Sequence, residues 1–143
     1  MIKRVTLGEE LVITTKNKVG LLADISAMLA NHGVNVESAL GYEAGSTAKL
    51  MLVTNANLVI VGELKKTKKY KSVKETEVVM VELEDKPGAL KVVTTELKQA
   101  GIDIKYVYVT SPSHPGGSSR MVLQTSDNEE AMALLSKYVT SAE

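Results

Sequence analysis

Two short glycine turns carry the residue types that could hold a small charged ligand. Gly20 and Gly88 each stand between the end of a predicted strand and the start of a predicted helix. The first backbone N–H groups of a helix have no partner inside the helix and carry partial positive charge. A glycine lets a ligand approach these groups closely. The two turns are therefore candidate cradles for a carboxylate or a phosphate.

Polar side chains accompany each turn. Asn17 and Asp85 precede the two glycines, and Asn35 and Asp103 follow the two predicted helices. Amide and carboxylate oxygens accept from an ammonium while helix N–H groups bind a carboxylate, so this set suits an amino acid. The same residues also have an ordinary structural interpretation, in which Asn17 and Asp85 cap the turns and the glycines only satisfy backbone geometry.

The two turns belong to an internal repeat. When the chain is displaced by 68 residues, Gly20 falls on Gly88 and Gly33 falls on Gly101, and the apolar positions between them agree. Each copy then shows a strand, a helix, two strands and a further helix in the same order. Because a fixed period of this kind marks duplicated structural units, we interpret the chain as two copies of one unit.

The order βαββαβ in each copy predicts an α+β fold: two ferredoxin-like units with antiparallel sheets and helices on one face. The predicted domains are residues 1–76 and 77–143, with residues 1–8 as an extra N-terminal segment of the first. Copy one has its own final strand at residues 70–75. Copy two ends without room for a full strand, and residues 2–7 could supply it by pairing beside that copy.

The helices are predicted from apolar residues spaced three and four apart. The predicted buried faces are Leu22, Ile25 and Leu29; Leu58, Val61 and Leu64; Leu90, Val93, Leu97 and Ala100; and Ala131, Leu134, Leu135 and Tyr138. The segment 56–69 contains the β-branched run Val59 to Val61, which weakens a helix. It is still assigned to a helix because the repeat requires one. Asp127 and Glu130 have the spacing of a capping box.

A resemblance to a known family rests on the two turns and the segments behind them. Copy two contains Asp85-Lys86-Pro87-Gly88-Ala89-Leu90 and then Gly101-Ile102-Asp103-Ile104, which resemble the signature of the ACT domain, a small ligand-binding module of amino-acid metabolism. Copy one is similar through Gly20-Leu21-Leu22-Ala23-Asp24-Ile25 and Gly33-Val34-Asn35-Val36. The first of these runs is most similar to ACT units appended to nitrogen-sensing uridylyltransferases and ppGpp synthetases. The resemblance covers residues 9–143.

The resemblance implies a regulatory protein that binds an amino acid and has no catalysis and no cofactor of its own. ACT units pair side by side, and their ligand lies at the pair interface, against the strand–helix turn and the residue that opens the second strand. By position, the implied ligand contacts are Asn17, Val19, Gly20, Leu21 and Asn35 in copy one, and Asp85, Pro87, Gly88, Ala89 and Asp103 in copy two. The implied partners are a second copy, giving a dimer through sheet edges or helices, and an enzyme or regulator.

The two copies depart from the family pattern in different ways. Copy one has Val19 where proline is usual, which leaves the turn less rigid but keeps its backbone contact. Copy two has Asp85 and Asp103 where better-known amino-acid sites have asparagine. Two carboxylates near one site repel each other unless an ammonium or a metal ion lies between them. Copy one is therefore expected to be the amino-acid site.

Composition excludes several other classes. Lys+Arg and Asp+Glu are both 17, and a zero net charge argues against a general binder of nucleic acid or membrane surfaces. The chain has no cysteine, so disulfides, cysteine zinc sites, iron–sulfur clusters and thiol nucleophiles are excluded. No apolar run approaches the ~20 residues of a membrane span, no secretory signal is recognised, and we expect a cytoplasmic protein.

Metal binding and catalysis have no motif to support them. The only histidines, His32 and His114, lack the spacing of a metal site. Acylphosphatases share the fold class, but they need an arginine in the loop after the first strand. The only arginines, Arg4 and Arg120, lie elsewhere. We therefore expect neither a metal nor an intrinsic enzymatic activity.

Two alternatives to an amino-acid sensor stay open. One is an assembly module whose ACT sites hold no ligand. The other is an RNA- or anion-binding adaptor that uses the lysine cluster between Lys65 and Lys74. The RNA-recognition motif shares the βαββαβ order, but it needs aromatic side chains exposed on its sheet. Tyr106 and Tyr108 alternate in phase with Ile104 and are predicted to lie on the helix-covered face, in the core.

Overall fold

The computed structural model describes residues 1–140, and residues 141–143, which the repeat assigns to the second domain, lie outside the described residues. The elements are β1 (Ile2–Lys16), α1 (Leu21–Asn31), β2 (Val36–Ala44), β3 (Thr47–Thr54), α2 (Asn57–Lys66), β4 (Ser72–Glu84), α3 (Ala89–Gln99), β5 (Ile104–Thr110), β6 (Ser118–Thr125) and α4 (Asn128–Ser136). The chain divides into two compact units. One is residues 9–76, and the other is residues 1–8 together with the residues from 77 onward.

Each unit has the predicted ferredoxin-like plan. In residues 9–76 the strand order is β4-β1-β3-β2, and in the other unit it is β1-β4-β6-β5. In both, the two strands after the first helix form an antiparallel hairpin at one side of the sheet. The opening strand of the unit lies between that hairpin and the closing strand. The α+β, βαββαβ fold class predicted from the sequence is thus confirmed.

Two strands are longer than the repeat predicts. The strands expected at residues 70–75 and 78–84 form the single strand β4, and those expected at 2–7 and 11–16 form β1. The first eight residues, assigned above to the first domain, lie in the unit that begins at residue 77. There Ile2 bridges Val139 in parallel, and Glu84 N–H donates to the carbonyl of Met1 at 2.8 Å. Residues 2–7 therefore complete the second unit, as the missing strand of copy two required.

The core of each unit is aliphatic, and the observed faces of α1 and α3 differ from the predicted ones only at their ends. In α1 the buried residues are Leu21, Ile25 and Leu29, while Leu22 is exposed. In α3 they are Ala89, Val93 and Leu97, while Leu90 and Ala100 are exposed. Helix α2 buries Ile60 and Leu64, and Leu58 is 81% exposed. Tyr138 lies beyond α4 and is exposed. In α1 and α3 the first buried residue is thus the first residue of the helix, directly after the glycine turn.

The prediction for Tyr106 and Tyr108 is wrong, and a β-bulge is the reason. The register between β5 and β6 shifts between Ile104 and Tyr106. Directly opposed residues of two strands share a face, and Tyr106 and Tyr108 are opposite Gln124 and Val122, away from the core residue Leu123. The extra residue at the bulge thus moves both tyrosines to the face without helices, where they are half-buried.

Candidate functional site

Both glycine turns have the geometry that places helix N–H groups at the surface. Gly20 and Gly88 precede α1 and α3 with φ of 89° and 91°, in the left-handed region that favours glycine. No side chain caps either helix. Asn17 and Asp85 therefore do not cap the helices that follow them. Asn17 Nδ2 donates to Glu43 Oε2 at 2.5 Å, and Asp85 Oδ1 accepts from Ser119 Oγ at 3.3 Å.

A cleft of about 310 Å³ lies against the first turn. Its lining comprises Asn17, Lys18, Gly20, Leu21, Leu22, Gly41, Tyr42, Ala48 and Leu50. Leu21, Ala48 and Leu50 are buried and make an apolar floor. Asn17, Lys18 and Tyr42 are exposed and form a polar rim. The cleft thus combines an apolar interior with a few polar groups, which is the usual make-up of a small-molecule site.

Gly41 opens this cleft on the β2 side. It is opposite Leu50 in the β2–β3 pair, on the face that carries the core. A Cβ atom at position 41 would lie only 2.6 Å from Leu50 Cδ2. A side chain here would therefore push Leu50 aside or fill the cleft. At Gly20, by contrast, a Cβ would meet no atom within 4 Å, so the turn itself is open to solvent.

The charges around the cleft are mixed. Lys18 Nζ is 4.0 Å from Asp24 Oδ2, and both side chains are largely exposed. The Glu43 carboxylate accepts from the Asn17 amide, which leaves the amide oxygen of Asn17 able to accept from a ligand. The rim therefore offers acceptors for an ammonium at Asn17 and Glu43. It offers donors for a carboxylate at Lys18 and at the start of α1.

The structure brings together some of the predicted contacts of copy one but not all. Asn17, Gly20 and Leu21 line the cleft. Val19 is fully exposed beside them and does not line it. Asn35 follows the far end of α1, where its N–H donates to Asn55 Oδ1 at 2.9 Å. An 11-residue helix is about 16 Å long, so Asn35 and Asn17 of one unit are too far apart to contact one amino acid.

The second turn is covered at its glycine, because a Cβ at Gly88 would lie 3.5 Å from Met1 Cε. Asp85 and Lys86 of the same turn line a separate hollow of about 340 Å³. Val109 stands opposite Met121, as Gly41 stands opposite Leu50, and brings a side chain to the position that is open in the first unit. Nearby, a hydrogen bond from Lys86 Nζ at 2.6 Å lowers the pKa of the Glu84 carboxyl below its usual value.

The remaining predicted contacts of copy two occupy matching places around this turn. Asp85 and Pro87 are exposed on it, and Ala89 is buried as the first residue of α3. Asp103 follows α3, and its N–H donates to Ser126 Oγ at 3.0 Å, just as Asn35 is held by Asn55. No group of acidic or histidine side chains within residues 1–140 is arranged to hold a metal ion.

Sequence reasoning missed the β2 side of the cleft, which is Gly41, Tyr42 and Glu43. These residues lie in a predicted strand and turn, and nothing in their order shows that they face the start of α1. One signal could have found Gly41: the repeat has valine at the matching position, Val109. A glycine inside a strand marks a place where another group approaches closely.

Comparison with known proteins gives one family match, which lies within the first unit. Residues 10–69 match the model of the ACT domain. No curated protein sequence matches the chain significantly. No helix within residues 1–140 is long and apolar enough to cross a membrane.

Solved structures show the same fold at low identity. Protein BT0572 from Bacteroides thetaiotaomicron is 22% identical with a TM-score of 0.84, over 94% of this chain and 90% of its own. The ligand-free regulatory subunit of aspartate kinase from Thermus thermophilus is 12% identical with a TM-score of 0.66, over 95% of this chain and 97% of its own. E. coli aspartokinase III, in complex with lysine and aspartate, is 18% identical with a TM-score of 0.53, over 98% of this chain and 33% of its own.

Proposed function

We propose that this chain is a cytoplasmic regulatory protein of two ACT units in tandem, which binds an α-amino acid in the cleft at Gly20 and has no catalysis of its own. The observation that carries the proposal is the uncapped start of α1 opening into a cleft with an apolar floor and a polar rim. The ACT domain at residues 10–69 contains this cleft. The aspartokinase III of the same fold, which was solved with lysine and aspartate, supports an amino acid as the ligand class.

Each part of an amino acid has a counterpart in the cleft. The carboxylate is bound by the first N–H groups of α1, whose partial positive charge is not offset by a capping side chain, and by Lys18. The ammonium is bound by the oxygen of Asn17 and the carboxylate of Glu43. The ligand side chain lies over Leu50 and Leu22. An apolar amino acid of moderate size is therefore the best match.

A second ACT unit completes the site. Asn35 is too far from the cleft to reach a ligand bound in the same unit, so its predicted contact requires a ligand held by a paired unit. The exposure of Val19 and Leu22 beside the cleft agrees with such pairing, because apolar side chains at a ligand site gain stability when a partner covers them. The proposed assembly is a dimer or larger homo-oligomer.

The second turn plays a different role from the first. Asp85, Pro87, Gly88, Ala89 and Asp103 repeat the pattern, but Met1 lies over Gly88, and Val109 stands where the first unit has Gly41. We therefore assign amino-acid binding to the first unit. The ligand joins the start of α1 to β2 and favours one pairing geometry, which an attached or associated enzyme or regulator then detects.

The test is a thermal-unfolding screen with each of the twenty amino acids at millimolar concentration. We expect stabilisation by one amino acid or a few related ones. Asn17→Ala should weaken the apparent affinity about 10-fold or more, because a hydrogen bond to a charged group contributes roughly 1.5–3 kcal/mol. Asp85→Ala, the matched substitution in the second unit, should change it less than about 2-fold.

Three results would count against the proposal. If none of the twenty amino acids stabilises the protein, an assembly module without a ligand is the better interpretation. Equal losses in Asn17→Ala and Asp85→Ala would remove the assignment to the first unit. Unchanged binding in Asn35→Ala, at protein concentrations on both sides of the oligomer's dissociation constant, would remove the contribution of a paired unit.

A further inference from the structure

A second hollow of the first unit carries a concentration of positive charge that the proposed amino-acid site does not use. It has a volume of about 440 Å³ and is lined by Lys16, Lys68, Lys69 and Lys71, with hydroxyl groups at its side. We call it the basic hollow. It lies where β1 ends and where the chain turns from α2 into β4. Four ammonium groups around one hollow repel one another unless an anion lies among them.

The lysines of the basic hollow have no acidic ion-pair partner within residues 1–140. Asp and Glu are absent from the lining of the basic hollow, and within residues 1–140 none of its four lysines forms an ion pair. Neighbouring lysines are paired: Lys66 contacts Glu63 at 3.1 Å, and Lys18 approaches Asp24 at 4.0 Å. The hollow therefore differs from an ordinary solvated face, in which opposite charges alternate.

Lys68, which lines the basic hollow, has an unfavourable backbone conformation. Its φ is 55°, and it is the one residue other than glycine with a positive φ in the described part of the chain. The left-handed conformation is disfavoured for a residue with a side chain, and glycine is the usual choice just after a helix. A lysine at this position keeps a positive charge where the backbone alone would favour glycine.

The second unit shows that the fold itself does not need these lysines. Asn57 and Asn128 each begin a helix, and they are 71 residues apart. At this offset, Lys68 and Lys69 correspond to Val139 and Thr140. The offset of 68 at the first turn places Lys16 on Glu84. The same helix end and strand end thus form without a basic cluster. The charge is a property of the first unit alone.

Hydrogen-bond donors accompany the charge. The hydroxyl groups of Thr15, Ser46 and Thr47 line the basic hollow, as does Tyr70. Burial raises the pKa of the Tyr70 phenol, with a smaller contribution from the charge of Asp24, so the phenol is neutral at physiological pH. Phosphate groups offer many acceptor oxygens and bind most strongly where ammonium groups and hydroxyl donors converge.

We infer that the basic hollow binds a small ligand with two or more phosphate groups. Its volume is within the range of small-molecule sites, and its concave form suits a compact ligand. Binding to single-stranded RNA would instead require an extended basic groove with aromatic platforms, and only 5 tyrosines and no other aromatic residue are present. This inference does not depend on the proposed amino-acid site. The cleft and the basic hollow are neighbours, because Asn17, which lines the cleft, donates its N–H to the carbonyl of Ser46, which lines the basic hollow.

Calorimetric titration of the full chain with inorganic pyrophosphate, without any amino acid, tests the inference. The key variant is Lys69→Gln with Lys71→Gln, and the control is Lys98→Gln with Lys105→Gln, which changes the net charge equally on exposed positions of the second unit. We expect the first pair to weaken pyrophosphate binding about 10-fold or more and the control less than about 2-fold. Lys16→Gln, on a different element, should weaken it as well.

Several outcomes would overturn the inference. An equal loss of pyrophosphate affinity in both double variants would mean that binding depends only on the net charge of the protein. The absence of binding at millimolar pyrophosphate would exclude the proposed ligand class. Binding of a single-stranded RNA oligonucleotide, lost in Lys69→Gln/Lys71→Gln while pyrophosphate does not bind, would assign the lysines to nucleic acid instead.

Discussion

Replacement of Gly41 by valine should close the proposed amino-acid cleft from the β2 side. The backbone at this position has no left-handed strain, and the matching strand of the second unit already has valine there, as Val109. Gly41→Val thus copies into the first unit a feature that the second unit tolerates. The substitution alters neither the glycine turn nor the polar rim, so it tests the space of the cleft alone.

The structure allows an estimate of the cost. The new Cβ would lie 2.6 Å from Leu50 Cδ2, the far end of a side chain that can change rotamer. Overpacking of this kind typically costs about 1–3 kcal/mol. Each kcal/mol lowers the Tm of a chain of this length by roughly 3 °C, so Gly41→Val should melt about 3–9 °C lower. A ligand at about 100 times its Kd stabilises the native protein by roughly 2.7 kcal/mol, or about 8 °C.

Differential scanning fluorimetry with and without the identified amino acid is the assay. We expect the roughly 8 °C increment in the native protein and none in Gly41→Val. Gly62→Ala is the control, because a Cβ at position 62 meets no atom within 4 Å and lies in α2, away from the cleft. A full ligand increment in Gly41→Val, despite correct folding by circular dichroism, would refute the placement of the ligand in this cleft.

Three further predictions concern the fold. Leu64→Ala should lower the free energy of unfolding by about 2–5 kcal/mol because Leu64 is fully buried, while Leu58→Ala, on the exposed face of α2, should change it by less than about 0.5 kcal/mol. Chemical denaturation measures both variants, and equal effects would contradict the observed buried face of α2. Gly33→Ala should destabilise the protein by about 1–2 kcal/mol because φ at Gly33 is +67°, and Gly62→Ala should stabilise it by about 0.5–1 kcal/mol because position 62 lies within α2 with space for a Cβ. Urea unfolding midpoints measure both changes. An unchanged midpoint in Gly33→Ala would argue against the left-handed turn. Burial raises the pKa of Tyr70 in the folded state, so the neutral phenol's contribution to stability is complete below the unfolded pKa near 10 and is lost as the pH rises through the folded pKa. Tyr70→Phe should therefore reduce the loss of stability in alkali. The variant should also lack one late phenolate transition in the absorbance at 295 nm.

Local sequence rules predicted most of the fold. The glycines that the repeat aligns, Gly33 and Gly101, follow α1 and α3 with φ of 67° and 70°, and a left-handed residue after a helix is commonly glycine. Asp127 caps α4, since its Oδ1 accepts from Glu130 N–H at 3.0 Å. The reciprocal half of the predicted capping box is not formed, because Asp127 N–H donates to Thr125 Oγ1 at 3.2 Å. The run Val59 to Val61 lies within helix α2 as the repeat required, although β-branched residues disfavour it.

The errors come from features that local patterns do not encode. The phase of Tyr106 and Tyr108 depended on a bulge whose position is set by pairing with β6. The buried faces of α1 and α3 begin one residue earlier than predicted, at Leu21 and Ala89, because spacing alone does not fix the residue at which a helix begins. The candidate site was predicted on one side only: Asn17, Gly20 and Leu21 follow each other in the chain, while Gly41 and Glu43 reach them through sheet pairing.

The sequence by itself determined the duplication, the βαββαβ order and the two glycine turns, because these depend on residue type and short-range spacing. Only the tertiary structure decided that the first turn opens into a cleft while Met1 lies over the glycine of the second, and that lysines from β1 and from the connection between α2 and β4 surround one hollow. The physical reason is that a helix terminus forms from its neighbours in the chain, whereas an empty space is bounded by residues far apart in sequence. A single side chain can fill such a space, as a side chain at position 41 would fill the cleft.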